Sequence, residues 1–334
     1  MSFDFTSHAQ VAEEKSEAGA PAPLSTFALE LLDSNPFSGY VLGDCLASDE
    51  YSAVFKAQDK NMDRTVALKA LLANPKRDDA VETFFSQAGS VARVRHPRLA
   101  RGLDAGRGGR AFFMAHEFVR GESLGAKLAR RQTGRLTEKE SLAFVAELAQ
   151  TLQDLFDAGQ NHGDLRPERI LFVDGGQLKL LGLGFAWTVS WEDDAAAYAV
   201  KPDYLPPERI ADELNIDVRG DLYSLGALWW KAILAEPVFK GNTPGETLEM
   251  HLRQKPLPPR ELDPRLSAAT SQLILWLLEK DRDARPRTPK EFLRKLSSHP
   301  LLEKEEPAAV PAPAGEAGPV GGAATDQAEQ AAEE

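Results

Sequence analysis

Hydrophobic and polar positions alternate through the first third of this chain, and then the period changes. From Tyr40 the apolar residues recur at nearly every second place: Tyr40 and Leu42, then Tyr51, Ala53 and Phe55 around Val54. That period predicts a hairpin of half-buried strands, and Thr65–Leu71 predicts a third strand after it. Ala80–Arg95 predicts a helix that stops before His96-Pro97, because proline disfavours the helical conformation in the residue before it. Gly102–Gly109 and Arg110–Val119 predict two further strands. After Gly121 the spacing becomes helical, over Thr137–Ala158, Asp221–Ala235, Pro244–Arg253, Ser267–Leu278 and Pro289–Leu296. The pattern predicts an α+β chain in two lobes, a small β-rich lobe over residues 37–120 and a larger helical lobe over 121–302. The sequence contains no internal repeat.

Charge sharpens this division. The formal net charge is −12. Residues 1–36 hold six acids and one lysine, and residues 303–334 hold eight acids and one lysine. The two ends carry the whole excess, so residues 37–302 balance near zero. Both ends are rich in Ala, Pro and Glu and lack periodicity, which predicts disordered acidic tails around a neutral body. Within the first, Leu24, Phe27, Ala28 and Leu31 fall at helical spacing, and either a docked helical turn or a transient tail helix accounts for them. A nucleic-acid surface would need a basic face that this balance does not supply. The most apolar stretch, around Leu222–Leu234, is interrupted by Lys231 and falls short of a bilayer span. No basic-then-apolar run opens the chain, and a single cysteine, Cys45, excludes an internal disulfide; a cytoplasmic protein is expected.

The candidate chemistry sits in ordered motifs. His162-Gly163-Asp164-Leu165-Arg166-Pro167-Glu168-Arg169 is followed, a strand later, by Gly182-Leu183-Gly184. Upstream stand Val66-Ala67-Leu68-Lys69 and Phe113–Val119; downstream stand Tyr204-Leu205-Pro206-Pro207-Glu208, Asp217–Gly226 and Lys280–Pro286. Over about Asn35–Leu302 this succession resembles the protein kinase superfamily, and its wording is most similar to bacterial serine/threonine kinases. The resemblance implies a bilobal kinase-like fold with ATP between the lobes. It implies that Lys69 faces phosphate, that Val54 and Ala67 cover adenine and Leu171 underlies it, and that the backbone of Glu117 and Val119 meets the adenine edge, with His116 at the gatekeeper position. It implies that Asp164 orients a substrate hydroxyl, that His162 and Asp221 brace the catalytic loop, and that Glu208 and Arg285 form a buried ion pair.

The chain departs from that family where metal is held. Such kinases bind Mg²⁺ through an aspartate of the Asp-Phe-Gly motif and an asparagine of the catalytic loop; those positions carry Gly182 and Arg169. The three glycines expected over the phosphates are Ala47, Asp49 and Ser52, and the glutamate expected opposite Lys69 is Gln87, with Glu82 the nearest acid. Gly163 replaces the arginine that grips a phosphorylated activation loop, and no basic clamp matches Thr188 or Ser190. Without these carboxylates, Lys69 is exposed, partly deprotonated or awaiting an anion. Asp164 can pair with Arg166 or Arg169, and Arg169 either contacts phosphate oxygens or closes on Asp164 and blocks the site. The resemblance therefore implies a pseudokinase, with signalling proteins or an active kinase as partners and ATP or ADP held without Mg²⁺. The alternative is a weakly active serine/threonine kinase that uses Lys69, Asp164 and Arg169. No metal ligands are expected by the usual pattern.

Overall fold

The structure is a computed structural model that describes residues 24–48, 52–72, 85, 88, 89, 91–183, 202–211 and 217–302. Asp49, Tyr51, Glu82, Gln87, Thr188, Ser190, most of the expected helix over residues 80–95, and the outer parts of both tails lie outside the described residues.

Five antiparallel strands form the small lobe: β1 (Tyr40–Ser48), β2 (Ser52–Asp59), β3 (Arg64–Leu72), β4 (Gly102–Gly108) and β5 (Ala111–Glu117), in the order β1-β2-β3-β5-β4. β3 alternates less than β2, and β5 is buried at all but its last residue. The reason is that both faces of the sheet are covered. One face, with Phe55, Val66, Leu68, Phe113 and Ala115, packs against Phe27, Ala28 and Leu31. Those three belong to helix α1 (Thr26–Ser34), capped by Ser25, whose hydroxyl accepts from the Ala28 amide at 3.2 Å. The other face carries Leu71, Phe112 and Met114 against Ala88.

The boundary drawn at residue 37 is corrected here: α1 is part of the small lobe's core, and the packed region begins ahead of Phe37. The apolar residues at helical spacing bury enough surface against the sheet to hold a helix that is too short to persist alone. Phe27→Ala should therefore cost roughly 3 kcal/mol and release α1 from the sheet. Hydrogen exchange would show it as lost amide protection over 26–34 alone; unchanged protection there would mean that the helix does not depend on this contact.

The large lobe is built on α3 (Glu138–Asp157) and α5 (Val218–Leu234), with α2 (Leu124–Arg130), α4 (Pro207–Ile210), α6 (Pro244–Arg253), α7 (Pro259–Leu262), α8 (Ala268–Leu277) and α9 (Pro289–Leu296) around them. Their N-termini explain their bounds. Ser123, Thr137, Asp217, Thr243, Ser267 and Thr288 each cap a helix through a side-chain oxygen, and proline follows in the first turn at Pro244 and Pro289. Thr137 and Glu140 close a reciprocal capping box. α5 starts ahead of the expected Asp221, because Asp217 rather than an apolar residue sets its first turn. It is almost wholly buried, and Trp229 fills the lobe's centre with its indole N–H bonded to Ser141 at 2.9 Å. A three-stranded sheet, β6 (Glu122–Ser123), β7 (Ile170–Phe172) and β8 (Leu178–Leu180), in that order, belongs to this lobe. β7 and β8 position the two loops that carry the candidate chemistry. Among the described residues, no helix is long and apolar enough to cross a membrane.

Candidate active site

The loop that leads from α3 into β7 is fixed from below by α5. The Asp221 carboxylate accepts from the amides of His162 and Gly163, each at 2.6 Å. His162 is fully buried; its Nε2 lies 2.9 Å from the Leu181 carbonyl, and its Nδ1 accepts from the Asp164 amide at 3.2 Å. Those two partners require a neutral ring with the proton on Nε2. Burial agrees, pushing the His162 pKa down to about 4, and it pushes Asp221 up to about 6 against the two amides that stabilise its charge. Gly163 adopts φ +75°, and its carbonyl accepts from Arg209 at 2.7 Å. Arg209 belongs to α4, beside Glu208, whose carboxylate forms a two-pronged buried pair with Arg285 at 2.8 Å for each contact.

Asp164 projects from this loop between two guanidinium groups. Arg169 approaches its Oδ2 through Nε at 3.0 Å and Nη2 at 2.9 Å, and Arg166 Nε lies 3.3 Å from Oδ1. Burial alone would raise the pKa of Asp164, but Arg166 and Arg169 outweigh it and hold the carboxyl well below the usual carboxylate range. Lys69 adds to the same field. It stands on β3 opposite Val54 and Met114, on the sheet face that carries Ala67, whose neighbour across the sheet is His116. His116 is buried, and burial with the charges of Arg169 and Lys69 lowers its pKa to about 4. His116 is thus a neutral imidazole in the field of two cations.

Arg169 and Gly182 touch each other. Arg169 ends a turn of 3₁₀ helix, Pro167–Arg169, and is 6 % exposed. Its guanidinium lies against Gly182, where an added Cβ would come 2.9 Å from Nε and 3.0 Å from Cζ. Gly182 also has φ +82°, a conformation that favours glycine. These residues do not fit a divalent cation: Gly182 offers no side-chain oxygen, and a guanidinium has five donors and no acceptor. Among the described residues, no group of three or more His, Cys, Asp or Glu could hold a metal ion.

The structure brings Asp164, Arg169 and Lys69 into one electrostatic neighbourhood. Val119 and Leu171, the expected adenine contacts, share an apolar cluster with Ala100 and Leu181. Glu117 is held on both its backbone and its side chain. Its amide donates to the Arg101 carbonyl at 2.8 Å, and its carboxylate takes Lys179 at 2.7 and 2.9 Å. Arg166 and Arg169 were both open as partners for Asp164, and both lie against its carboxylate. One residue escaped the sequence reading of the site. Arg209, which anchors Gly163, carried no signal because its contact is long-range. The fit of Gly182 beneath Arg169 did leave a trace: both residues stood out in the sequence as departures from the motifs around them.

The protein kinase domain model matches residues 40–301, and the chain belongs to that family. The serine/threonine-protein kinase pkn2 of Myxococcus xanthus is 32% identical over 296 residues, which cover 83% of this chain and 35% of that protein. The serine/threonine-protein kinase PknB of Mycobacterium tuberculosis is 28% identical over 262 residues, which cover 76% of this chain and 41% of that protein. The chain thus spans about two fifths or less of the length of these curated relatives. Among solved structures, the PknI kinase domain of Mycobacterium tuberculosis superposes with a TM-score of 0.62 at 21% identity, covering 78% of this chain and 95% of that one. That likeness shows the bilobal kinase fold.

Proposed function

We propose that this chain is a protein-kinase-fold signalling module that does not transfer phosphate, and that it acts by binding other signalling proteins or an active kinase. The observation that carries the reading is the Arg169 guanidinium lying on Gly182 and closing on Asp164. Phosphoryl transfer is catalysed chiefly by neutralising charge on the transferring group, and metal ions supply most of that. Here the metal positions offer no ligand oxygen, and the carboxylate that should receive a hydroxyl is held by two arginines. The retained scaffold agrees with a binding role. His162, Asp221, Glu208 and Arg285 keep the loops in place, and their geometry does not depend on turnover.

A second reading, a serine/threonine kinase acting on protein hydroxyls, is favoured by the names of the relatives. The two separate on phosphate transfer. With labelled ATP and either Mg²⁺ or Mn²⁺, the native chain should label neither itself nor a generic protein substrate above the Asp164→Ala background. Labelling that Asp164→Ala abolishes would establish the kinase reading and end the first.

A further inference from the structure

The guanidinium of Arg169 lies between Gly182 and the Asp164 carboxylate. We propose that Arg169 and Gly182 form one interdependent device: a tethered cation on a glycine floor, which takes the phosphate groups of a nucleoside di- or triphosphate without divalent metal. The inference deepens the reading above and rests on it for the absence of a bound metal.

Three observations converge. The first is steric. The approach to Gly182 at 2.9–3.0 Å leaves no room for a side chain, so Arg169 can adopt this position only over glycine. A carboxylate restored at residue 182 alone would collide with the guanidinium and could not recreate a metal site. The second is directional. Arg169 donates through Nε and Nη2 to a single oxygen of Asp164, which fixes the plane of the guanidinium. A guanidinium has five donors in a rigid fork, so two bonds do not exhaust it. The third is electrostatic. Arg166, Arg169 and Lys69 all act on Asp164, and both Arg169 and Lys69 act on His116, so the cationic groups converge on one locus between the lobes. His116 stays neutral there and adds no competing charge.

The fork geometry matches phosphate oxygens, and a fixed guanidinium offers them donors that already carry charge. A metal ion would meet this same positive field, which opposes its entry. The device thus inverts the usual requirement: nucleotide binding should be indifferent to Mg²⁺, or weakened by it through competition for the phosphates.

Thermal unfolding of the full chain with ADP, in excess EDTA and then in excess Mg²⁺, tests this. Ligand that binds only the native state stabilises it by RT ln(1 + [L]/Kd), so at one concentration the tighter complex unfolds at the higher temperature. The native chain should shift at least as far in EDTA as in Mg²⁺. Arg169→Asn should weaken ADP in EDTA about ten- to a hundredfold, the loss expected for a charged hydrogen-bonding group. Arg169→Asn with Gly182→Asp should bind only with Mg²⁺. The absence of any shift in the native chain, a shift that needs Mg²⁺, or ADP binding as tightly to Arg169→Asn would each overturn the proposal. A second measurement holds even if a variant folds poorly. Gly182→Ala should lower the unfolding temperature more in the native background than in the Arg169→Asn background, and equal losses would show that the two residues are independent. Labelled phosphate transfer by the native chain would defeat the proposed function while leaving the binding result to stand by itself.

Discussion

Replacing Arg285 by alanine should lower the unfolding temperature by roughly 10 °C, one of the largest losses any single substitution in this chain will produce. Arg285 has a side chain with no exposed surface, and its donors are all used: two on Glu208 at 2.8 Å each, and others on the carbonyls of Glu279, Arg219 and Lys280. Its guanidinium carbon also lies 4.9 Å from the centre of the Tyr223 ring. Truncation strands the buried Glu208 carboxylate and three carbonyls, and breaking such a pair on one side costs about 3–5 kcal/mol. A domain of this size loses about 2–4 °C per kcal/mol. The damage should travel, because Arg209 follows Glu208 and holds the Gly163 carbonyl at 2.7 Å. Amide protection of residues 162–164 should fall together with stability. Replacing both partners by apolar residues of similar size should cost much less, because no charge is left unpaired. Calorimetry of the single and double variants checks this; equal losses would mean that the pair contributes through packing alone.

Acidification should destabilise the chain well above the pH at which carboxylates titrate. Burial pushes His116 and His162 down to about 4 and His251 down to about 3, far below an unfolded histidine near 6.5. Lys280 adds to the shift at His251. The native state keeps these rings neutral while the unfolded chain takes up protons. Stability is therefore fully present above 6.5 and is lost as the pH falls toward 4. Asp221 runs the other way: burial raises it to about 6, so its contribution improves as the pH falls from 6 toward 4. Three histidines against one aspartate leave a net loss of roughly 3–5 kcal/mol between pH 7.5 and pH 5, at about 1.4 kcal/mol per pKa unit. Urea unfolding at the two pH values measures it directly. A flat profile would mean that these rings are charged in the folded state.

The fold was legible because its signals are local. Period-two and period-3.6 patterns fix the strands and the major helices, and caps such as Thr137 and Thr288 mark where helices begin. Helix α1 was ambiguous because nine residues cannot hold a helix alone; only the sheet face that receives Phe27 and Leu31 settles it. α2, α4 and α7 were missed for a related reason: they span seven residues or fewer, too few for a period to emerge. At the site, the identities of Arg169 and Gly182 were readable from their place in the motifs. Their contact was not, since it depends on β7 and β8 setting the two loops side by side. The Asp164–Arg169 contact was one of the arrangements left open by sequence, and it is present in the structure. The part played by Arg209 depends on a loop fold that no spacing encodes.

If Arg169 on Gly182 stands in place of the metal site, the dissociation constant of ADP, measured calorimetrically against free Mg²⁺ concentration at constant ionic strength, shows it most directly. The affinity should stay constant or weaken as Mg²⁺ rises. An affinity that tightens with Mg²⁺ would contradict it, for it would show that the chain holds a divalent cation with its nucleotide after all.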